Sequence, residues 1–162
     1  MVYLCMSTPL PYRPNVCMLV FNRDGDLFLG ERHGEPGVWQ FPQGGVDAGQ
    51  SVEENVAREL EEELGAARSC FSIVRQLRAT HTYDFVVPRR YGEETFRGQT
   101  QTFWLVEFVG PDTAIRLDTA EPEFMAWGWY SPAEVRRRAE PRRLLGYTAP
   151  LDEFLAFWAA RR

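Results

Sequence analysis

RELEEELG, residues 58–65, places four glutamates within eight positions, behind a single arginine. If this stretch is helical, Glu59, Glu62 and Glu63 share about one third of the helix circumference, because successive residues turn by about 100°. Glu61 points away from them. Apolar residues border the acidic sector and predict that it lies beside the buried face: Val52, Val56 and Leu60. Burying unpaired charge is costly, and one arginine cannot neutralise three carboxylates. The stretch therefore predicts a divalent cation as the counter-charge.

The sequence also indicates where this helix begins and ends. Ser51 and Glu54 have the spacing of a capping box, in which each side chain accepts a backbone N–H of the other residue. Gly65 is the residue type that most readily adopts the left-handed conformation of a helix C-cap. We therefore predict a helix between Ser51 and Gly65, and PQGG (42–45) as a break that precedes it.

Length and composition predict one globular domain over residues 1–162. Hydrophobic residues make up 44% of the chain and charged residues 25%, which is typical of a globular protein. No apolar run has transmembrane length, and residues 1–10 lack the pattern of a signal peptide. The net charge of −5 argues against a nucleic-acid coat protein. Three cysteines without CxxC spacing, Cys5, Cys17 and Cys70, favour reduced thiols and a cytoplasmic location.

Apolar and alternating stretches predict strands along most of the remaining chain. They cover residues 15–21, 27–29, 39–41, 71–77, 79–87, 99–109 and 124–130. NRDGD (22–26) predicts a hairpin turn and HGEPG (33–37) a loop. SPAE (131–134) is a second capping box, and a terminal helix is expected to begin at Pro150. One helix among many strands, followed by two at the C-terminus, predicts an α+β sandwich.

The segment GGVDAGQSVEENVARELEEELGA, residues 44–66, resembles the Nudix box, which carries a glycine and then REUxEExGU, where U is aliphatic. The positions that match in register are Gly44, Arg58, Glu59, Leu60, Glu62, Glu63 and Gly65. Further segments resemble bacterial RNA pyrophosphohydrolases and the related asymmetric dinucleoside tetraphosphate hydrolases: YRPNV (12–16), WQFPQGG (39–45), YDF (83–85), PEF (122–124) and WGW (127–129). The resemblance implies the Nudix fold, an α/β/α sandwich with a central mixed β-sheet, in which the box is a loop–helix–loop.

The resemblance further implies hydrolysis of a nucleoside polyphosphate linkage with Mg²⁺ or Mn²⁺, and more than one ion in the substrate complex. Glu62 and Glu63 are the first-choice ligands. Gly44 is expected to contribute its backbone carbonyl. Glu59 is either another ligand or the base that takes the proton of the attacking water.

Two more residues of the catalytic set follow from the resemblance. Glu123 matches a loop glutamate that serves the family as base or extra ligand, although an exposed acid beside a proline turn is an equal interpretation of the residue alone. Arg58 is expected to orient the carboxylates through charge-assisted hydrogen bonds. Gln50 stands where the box carries glutamate, and Ala66 occupies its final aliphatic position. An amide can hydrogen-bond Arg58 but cannot form an ion pair with it, so we expect weaker orientation of the site rather than its loss.

Substrate contacts are also predicted by resemblance. Arg13 and Arg32 match positions that face the phosphates, where a guanidinium fork suits phosphate oxygens; each is otherwise a surface arginine. Gln43, in the WQFPQGG segment, is expected to bind substrate. Tyr83 matches a ligand-contacting tyrosine, or else packs in a strand. Tyr147 lies near the position of a base-stacking phenylalanine of bacterial RNA pyrophosphohydrolases.

The interpretation favoured by these residues is removal of pyrophosphate from the 5′ end of triphosphorylated RNA. A dinucleoside tetraphosphate hydrolase that yields ATP and AMP is the alternative within the same class. A nucleotide-binding regulatory module with weakened catalysis is the alternative from another class. The predicted partner is a nucleotide or an RNA 5′ end; no membrane and no stable protein partner is expected. The arginines of residues 136–138 and 141–143 are either an RNA-backbone track or solvated helix surface.

Overall fold

A computed structural model describes residues 8–161. Its strands are β1 (Tyr12–Phe21), β2 (Leu27–Arg32), β3 (Trp39–Gln40), β4 (Gln43–Gly45), β5 (Phe71–Tyr91), β6 (Glu94–Phe108) and β7 (Phe124–Tyr130). Its α-helices are α1 (Val52–Leu64), α2 (Pro132–Arg138) and α3 (Pro141–Arg161), and single 3-10 turns lie at Arg68–Cys70 and Asp112–Ala114. Cys17 and Cys70 are free thiols, whereas Cys5 lies outside the described residues. Across residues 8–161, no helix is both long enough and apolar enough to cross a membrane.

The strands form one mixed sheet in the order β3-β2-β1-β6-β5, with β4 paired to β1 and β7 paired to β2. β1 and β6 run parallel and share a register from Tyr12 opposite Gly98 to Phe21 opposite Glu107. The other pairings are antiparallel. The predicted α+β class with a central mixed sheet is therefore confirmed.

The period-two geometry of β1 divides the core between the two faces of the sheet. Val16, Met18 and Val20 point to one face, where they pack with residues of α1 and β7. The alternate residues of β1 point to the other face and pack with α2 and α3: Cys17, Leu19 and Phe21. All six are fully buried. Helices therefore cover both faces, which is the predicted sandwich.

Three of the predicted elements are corrected. PQGG was expected to be a break, but Gln43–Gly45 form β4, which pairs with residues 15–17 of β1. The two strands predicted over residues 71–87 are one strand, β5, whose register shifts between Gln76 and Thr80. The last helix begins at Pro141 rather than Pro150. Pro150 lies inside it, although its missing N–H leaves the carbonyl of residue 146 without an intrahelical partner.

Candidate active site

The loop between β4 and α1 is held by the caps of the helix. Ser51 and Glu54 form both hydrogen bonds of the predicted capping box, and Gly65 ends the helix with φ of 64°. Asn55 is buried and links the loop to the helix, because its Oδ1 accepts from Asp47 N at 2.8 Å and its Nδ2 donates to Ser51 O at 2.8 Å. Sequence reasoning did not single out Asn55. The available signal was an asparagine beside Val52 and Val56, the positions that predict the buried face of the helix.

Arg58 is the electrostatic centre of the box. Its Nη2 lies 2.9 Å from Glu59 Oε1 and 3.0 Å from Asp47 Oδ2, and its Nη1 lies 3.1 Å from Glu62 Oε2. Its Nε donates to Gln50 Oε1 at 3.4 Å, so the amide does reach the arginine. One guanidinium thereby orients three carboxylates around the N-terminal half of the acidic sector.

The two innermost glutamates are short of compensating charge. The pKa of Glu59 is raised to about 7, because burial outweighs the opposing charge of Arg58 and the nearby charge of Glu62 adds to the rise. Glu63 is 4% exposed, and its Oε2 accepts from Gln43 N at 3.1 Å. Burial raises the pKa of Glu63 well above its usual range, and the charges of Glu59 and Glu123 add to the rise. Such elevation from burial plus like charge is typical of functional carboxylates.

The acidic sector fits a divalent cation by its chemistry. Carboxylate and carbonyl oxygens are the ligands that Mg²⁺ prefers, and a cation would relieve the repulsion that raises both pKa values. Gly44 lies so close to the Glu59 carboxylate that an added Cβ would overlap it, so only glycine brings the Gly44 backbone this near. In residues 8–161 no three acidic, histidine or cysteine side chains already surround one point. Glu62, whose side chain is 58% exposed, would have to turn away from Arg58 to join an ion.

A cavity of about 740 Å³ opens beside this sector. Of the predicted site residues it is lined by Arg13, Arg32, Gln43, Gly44, Glu59, Glu62, Glu63, Tyr83 and Glu123. Glu123 is exposed at the cavity, close enough to Glu63 to affect its pKa. Arg32 is paired with Glu35 at 3.2 Å. The structure therefore brings nine of the eleven predicted residues to one cavity. Arg58 does not line the cavity but contacts two of the nine, Glu59 and Glu62.

Tyr147 is the exception. It is 1% exposed, does not line the cavity, and packs on Phe41 with ring centroids 4.5 Å apart. Its hydroxyl accepts the N–H of Phe41 at 3.2 Å. A base cannot stack on this ring, because core side chains already surround it. The predicted nucleotide contact of Tyr147 is therefore wrong. The tyrosine instead supports the WQFPQGG segment from beneath.

Sequence reasoning missed two groups of residues around the cavity. The first is a buried amide network: Gln101 Nε2 donates to Gln43 Oε1 at 2.7 Å and to Asn15 Oδ1 at 3.0 Å. Gln99 Nε2 donates to the Tyr83 hydroxyl at 2.5 Å. Alternating glutamines in an apolar strand were the available signal. The second group comprises further lining residues of the cavity wall: Phe85, Arg89 and Tyr91. Arg143, which the sequence offered as part of an RNA-backbone track, lines the cavity as well.

Comparison with known proteins agrees with this geometry. The NUDIX domain model matches residues 11–148. An RNA pyrophosphohydrolase of Novosphingobium aromaticivorans is 38% identical over 151 residues, which cover 90% of this chain and 93% of that protein. One of Gluconacetobacter diazotrophicus is 41% identical over 132 residues, which cover 76% and 79%.

Solved structures show the same fold at low identity. A C. elegans Ap4A hydrolase in a binary complex has a TM-score of 0.65 at 20% identity and covers 90% of this chain and 98% of its own. The MutT protein of Methanosarcina mazei has a TM-score of 0.66 at 19% identity, with 91% and 96% covered. These likenesses confirm the predicted Nudix fold.

The chain belongs to the NUDIX family. It is a hydrolase of pyrophosphate linkages in nucleoside polyphosphates, and the family to which it belongs generally requires a divalent metal such as Mg²⁺.

Proposed function

We propose that this hydrolase removes pyrophosphate from the 5′ end of triphosphorylated RNA. The observation that carries the proposal is the single cavity in which the buried carboxylates of α1 meet the guanidinium groups of Arg13, Arg32 and Arg143. A 5′-triphosphate has a concentrated negative charge that suits both a metal held by carboxylates and arginine forks. The similarity to bacterial RNA pyrophosphohydrolases over most of the chain supports RNA as the carrier of that triphosphate.

The proposed roles follow from burial and contacts. Glu62 and Glu63, with the Gly44 carbonyl, would hold the metal, which would supply neutralisation of phosphate oxygens and acidification of the attacking water. Glu59 is a further ligand or a proton acceptor. Glu123, exposed at the cavity edge, is the alternative acceptor for the water proton. The substrate complex would use more than one ion, because six glutamates line the cavity and Arg58 neutralises only part of their charge.

The remaining cavity residues would bind substrate. Arg13 lies against Gly45, next to the proposed metal loop, and in residues 8–161 no carboxylate is within 4.0 Å of its guanidinium. A free guanidinium beside the metal loop is available to a phosphate. Gln43 would be held by Gln101, and Tyr83 by Gln99. We also propose that the enzyme acts in the cytoplasm, where nascent RNA ends are found.

Dinucleoside tetraphosphate hydrolysis is the second candidate, since the same metal site would serve it. That substrate presents two nucleobases, for which the sequence offered Tyr83 and Tyr147 as stacking platforms. The burial of Tyr147 removes one of them, which weakens this candidate. A regulatory module without turnover is opposed by the intact set of Glu59, Glu62 and Glu63, and by the contact of Gln50 with Arg58.

The proposal is tested by comparing kcat/KM for a 5′-triphosphate oligoribonucleotide and for diadenosine tetraphosphate at one salt and magnesium concentration. We expect the oligonucleotide to be the better substrate, with pyrophosphate and a 5′-monophosphate oligonucleotide as products. A tenfold preference for the dinucleotide would overturn the RNA proposal in favour of the second candidate. Binding of either substrate without any turnover in Mg²⁺ or Mn²⁺ would instead support the regulatory module.

A further inference from the structure

An aromatic surface lines the cavity at the hairpin formed by β5 and β6. Alternation along β5 turns Tyr83 and Phe85 inward, while Asp84 and Val86 face outward. Tyr91, at the end of β5, approaches Phe85 with ring centroids 6.3 Å apart, and Phe85 approaches Tyr83 at 6.1 Å. All three rings line the cavity and are half-buried. We call Tyr83, Phe85 and Tyr91 the hairpin wall.

Two arginines accompany the hairpin wall. The Arg13 guanidinium lies 3.9 Å from the ring centroid of Tyr91, and that of Arg89 lies 4.9 Å from the ring centroid of Phe85. Arg13 also lies against Gly45. Arg13 therefore lies between β4 and the hairpin wall. A nucleotide whose phosphates contact Arg13 would have its nucleoside beside these rings.

The hairpin wall differs from the aromatic clusters that fill the core. Phe21, Phe28 and Phe103 are fully buried, whereas the hairpin wall keeps part of each ring open to the cavity. Val86, next to Phe85 on the opposite side of β5, is 96% exposed, so the outer side of the strand is open to solvent at this position. Half-open rings flanked by guanidinium groups are the arrangement that stacks on nucleobases, because every base offers a π face and arginine adds cation–π attraction.

We propose that the hairpin wall, together with Arg89, is the subsite for the first nucleobase of the substrate. The proposal rests on the proposed function, because it takes the 5′-triphosphate to lie between Arg13 and the carboxylates of α1. Stacking accepts any base, so the subsite favours a nucleoside at this position without selecting its identity. Tyr91 and Arg89 thereby gain a role in binding that neither the box nor its flanking segments indicated, and Phe85, the last residue of YDF (83–85), gains a specific one.

The first measurement uses a nucleotide rather than RNA. The probe is the α,β-methylene triphosphate of 2-aminopurine riboside, which cannot be cleaved at that linkage and whose fluorescence is quenched by stacking. The wild-type protein should quench it, and Phe85→Leu and Tyr91→Leu should each weaken its binding by about 5- to 150-fold with loss of quenching. Val86→Ala, at an exposed position of β5 next to Phe85, is the matched control and should bind like wild type.

The second measurement uses a 5′-triphosphate oligoribonucleotide with either a normal or an abasic first nucleotide. Wild type should hydrolyse the normal substrate with higher kcat/KM, and Phe85→Leu should abolish that difference by raising KM for the normal substrate alone. Unchanged probe binding in both leucine variants, or quenching only when 2-aminopurine occupies the second nucleotide of an oligonucleotide, would overturn the subsite. If wild type does not hydrolyse triphosphate RNA, the proposed function fails, and the nucleotide probe still decides whether the hairpin wall binds a base.

Discussion

The two ends of the cavity are built in opposite ways. At the α1 end, Glu59 and Glu63 are buried among like charges, and within residues 8–161 Arg58, paired with Glu59, is the one cation in direct contact with them. At the hairpin end, Tyr83, Phe85 and Tyr91 are half-open and make overlapping contacts with one another. Buried charge costs stability until a cation compensates it, whereas each stacking contact adds about 1–3 kcal/mol to affinity without taking part in the chemical step. We infer that catalysis depends steeply on the α1 end and affinity depends gradually on the hairpin end.

The largest effect is expected for Glu63→Gln. Turnover should fall by two or more orders of magnitude, because stabilisation of the transition state by a bound metal is worth several kcal/mol. The apoprotein should be no less stable, since glutamine preserves the volume, can still accept from Gln43 N, and removes one of the repelling charges. Steady-state kinetics and thermal melting measure the two effects.

Glu53→Gln is the matched control for that variant, because Glu53 is exposed on the first turn of the same helix. It should leave turnover near the wild-type value. A folded Glu63→Gln protein with nearly full activity would contradict the assignment and transfer the principal role to Glu62 or Glu59.

The next largest effect is the pH dependence of the apoprotein. Because the folded-state pKa of Glu59 is about 7, above its ordinary value of 4.5, its contribution to stability is complete below about pH 4.5 and is lost as the pH rises through 7. The loss should amount to about 3 kcal/mol at most. Denaturant unfolding in a chelator at pH 5 and pH 8, for wild type and Glu59→Gln, isolates this contribution.

Millimolar Mg²⁺ or Mn²⁺ should restore stability mainly at the higher pH, since a ligand bound only by the folded state stabilises it and ionised carboxylates bind it best. A wild-type apoprotein that becomes more stable relative to Glu59→Gln between pH 5 and pH 8 would contradict the sign. Unfolding that is indifferent to both ions, together with activity that survives the chelator, would exclude the metal site itself.

A smaller effect separates two arginines that sequence alone treats alike. Arg143 lines the cavity, whereas Arg137, on α2, does not. Arg143→Gln should weaken binding of triphosphate RNA roughly tenfold through loss of a charge-assisted contact, and it should reduce the salt dependence of binding. Arg137→Gln should change neither by more than about twofold. Equal losses in both variants would favour an RNA track along α2 over a contact inside the cavity.

The smallest effect is expected for Gln50→Glu, which restores the residue that the box normally carries. Arg58 already meets Gln50 and also pairs with Glu59, Glu62 and Asp47. One more carboxylate at this partly exposed position should raise kcat/KM by no more than a few-fold. A gain of a hundredfold or more would show that this residue controls the site rather than supports it.

The α1 end was predictable from the sequence and the hairpin end was not, for physical reasons. Capping residues, helical periodicity and crowded charge are local properties, so Ser51, Gly65 and the glutamates identified α1 and its acidic sector. The hairpin wall depends on which face of β5 meets the cavity, and register shifts between Ile73 and Arg75 and between Asp84 and Arg89 interrupt the regular alternation along the strand. Alternation alone could therefore show that Tyr83 and Phe85 share a side, but not that Tyr91 and Arg13 join them.

Tyr147 shows how a wrong helix boundary led to a wrong role for one residue. Starting the helix at Pro150 left Tyr147 in a loop, where an exposed ring was a reasonable interpretation. With the helix starting at Pro141, Tyr147 lies on the face that packs against Phe41 and Phe103. Local rules place proline in the first turn of a helix, and only tertiary packing reveals that α3 tolerates Pro150 inside it.

The contact between the Tyr147 hydroxyl and the Phe41 N–H joins residues 106 positions apart. On a ribosome, the chain is made from its N-terminus, so the segment that supports Gln43 and Gly44 is synthesised long before the tyrosine that braces it. The strand that closes the sheet beside β1 is likewise made late, because β6 follows β1 by more than half the chain. A nascent chain released before α3 therefore has the proposed metal ligands but lacks their support, and hydrolytic competence should appear only when synthesis is nearly complete.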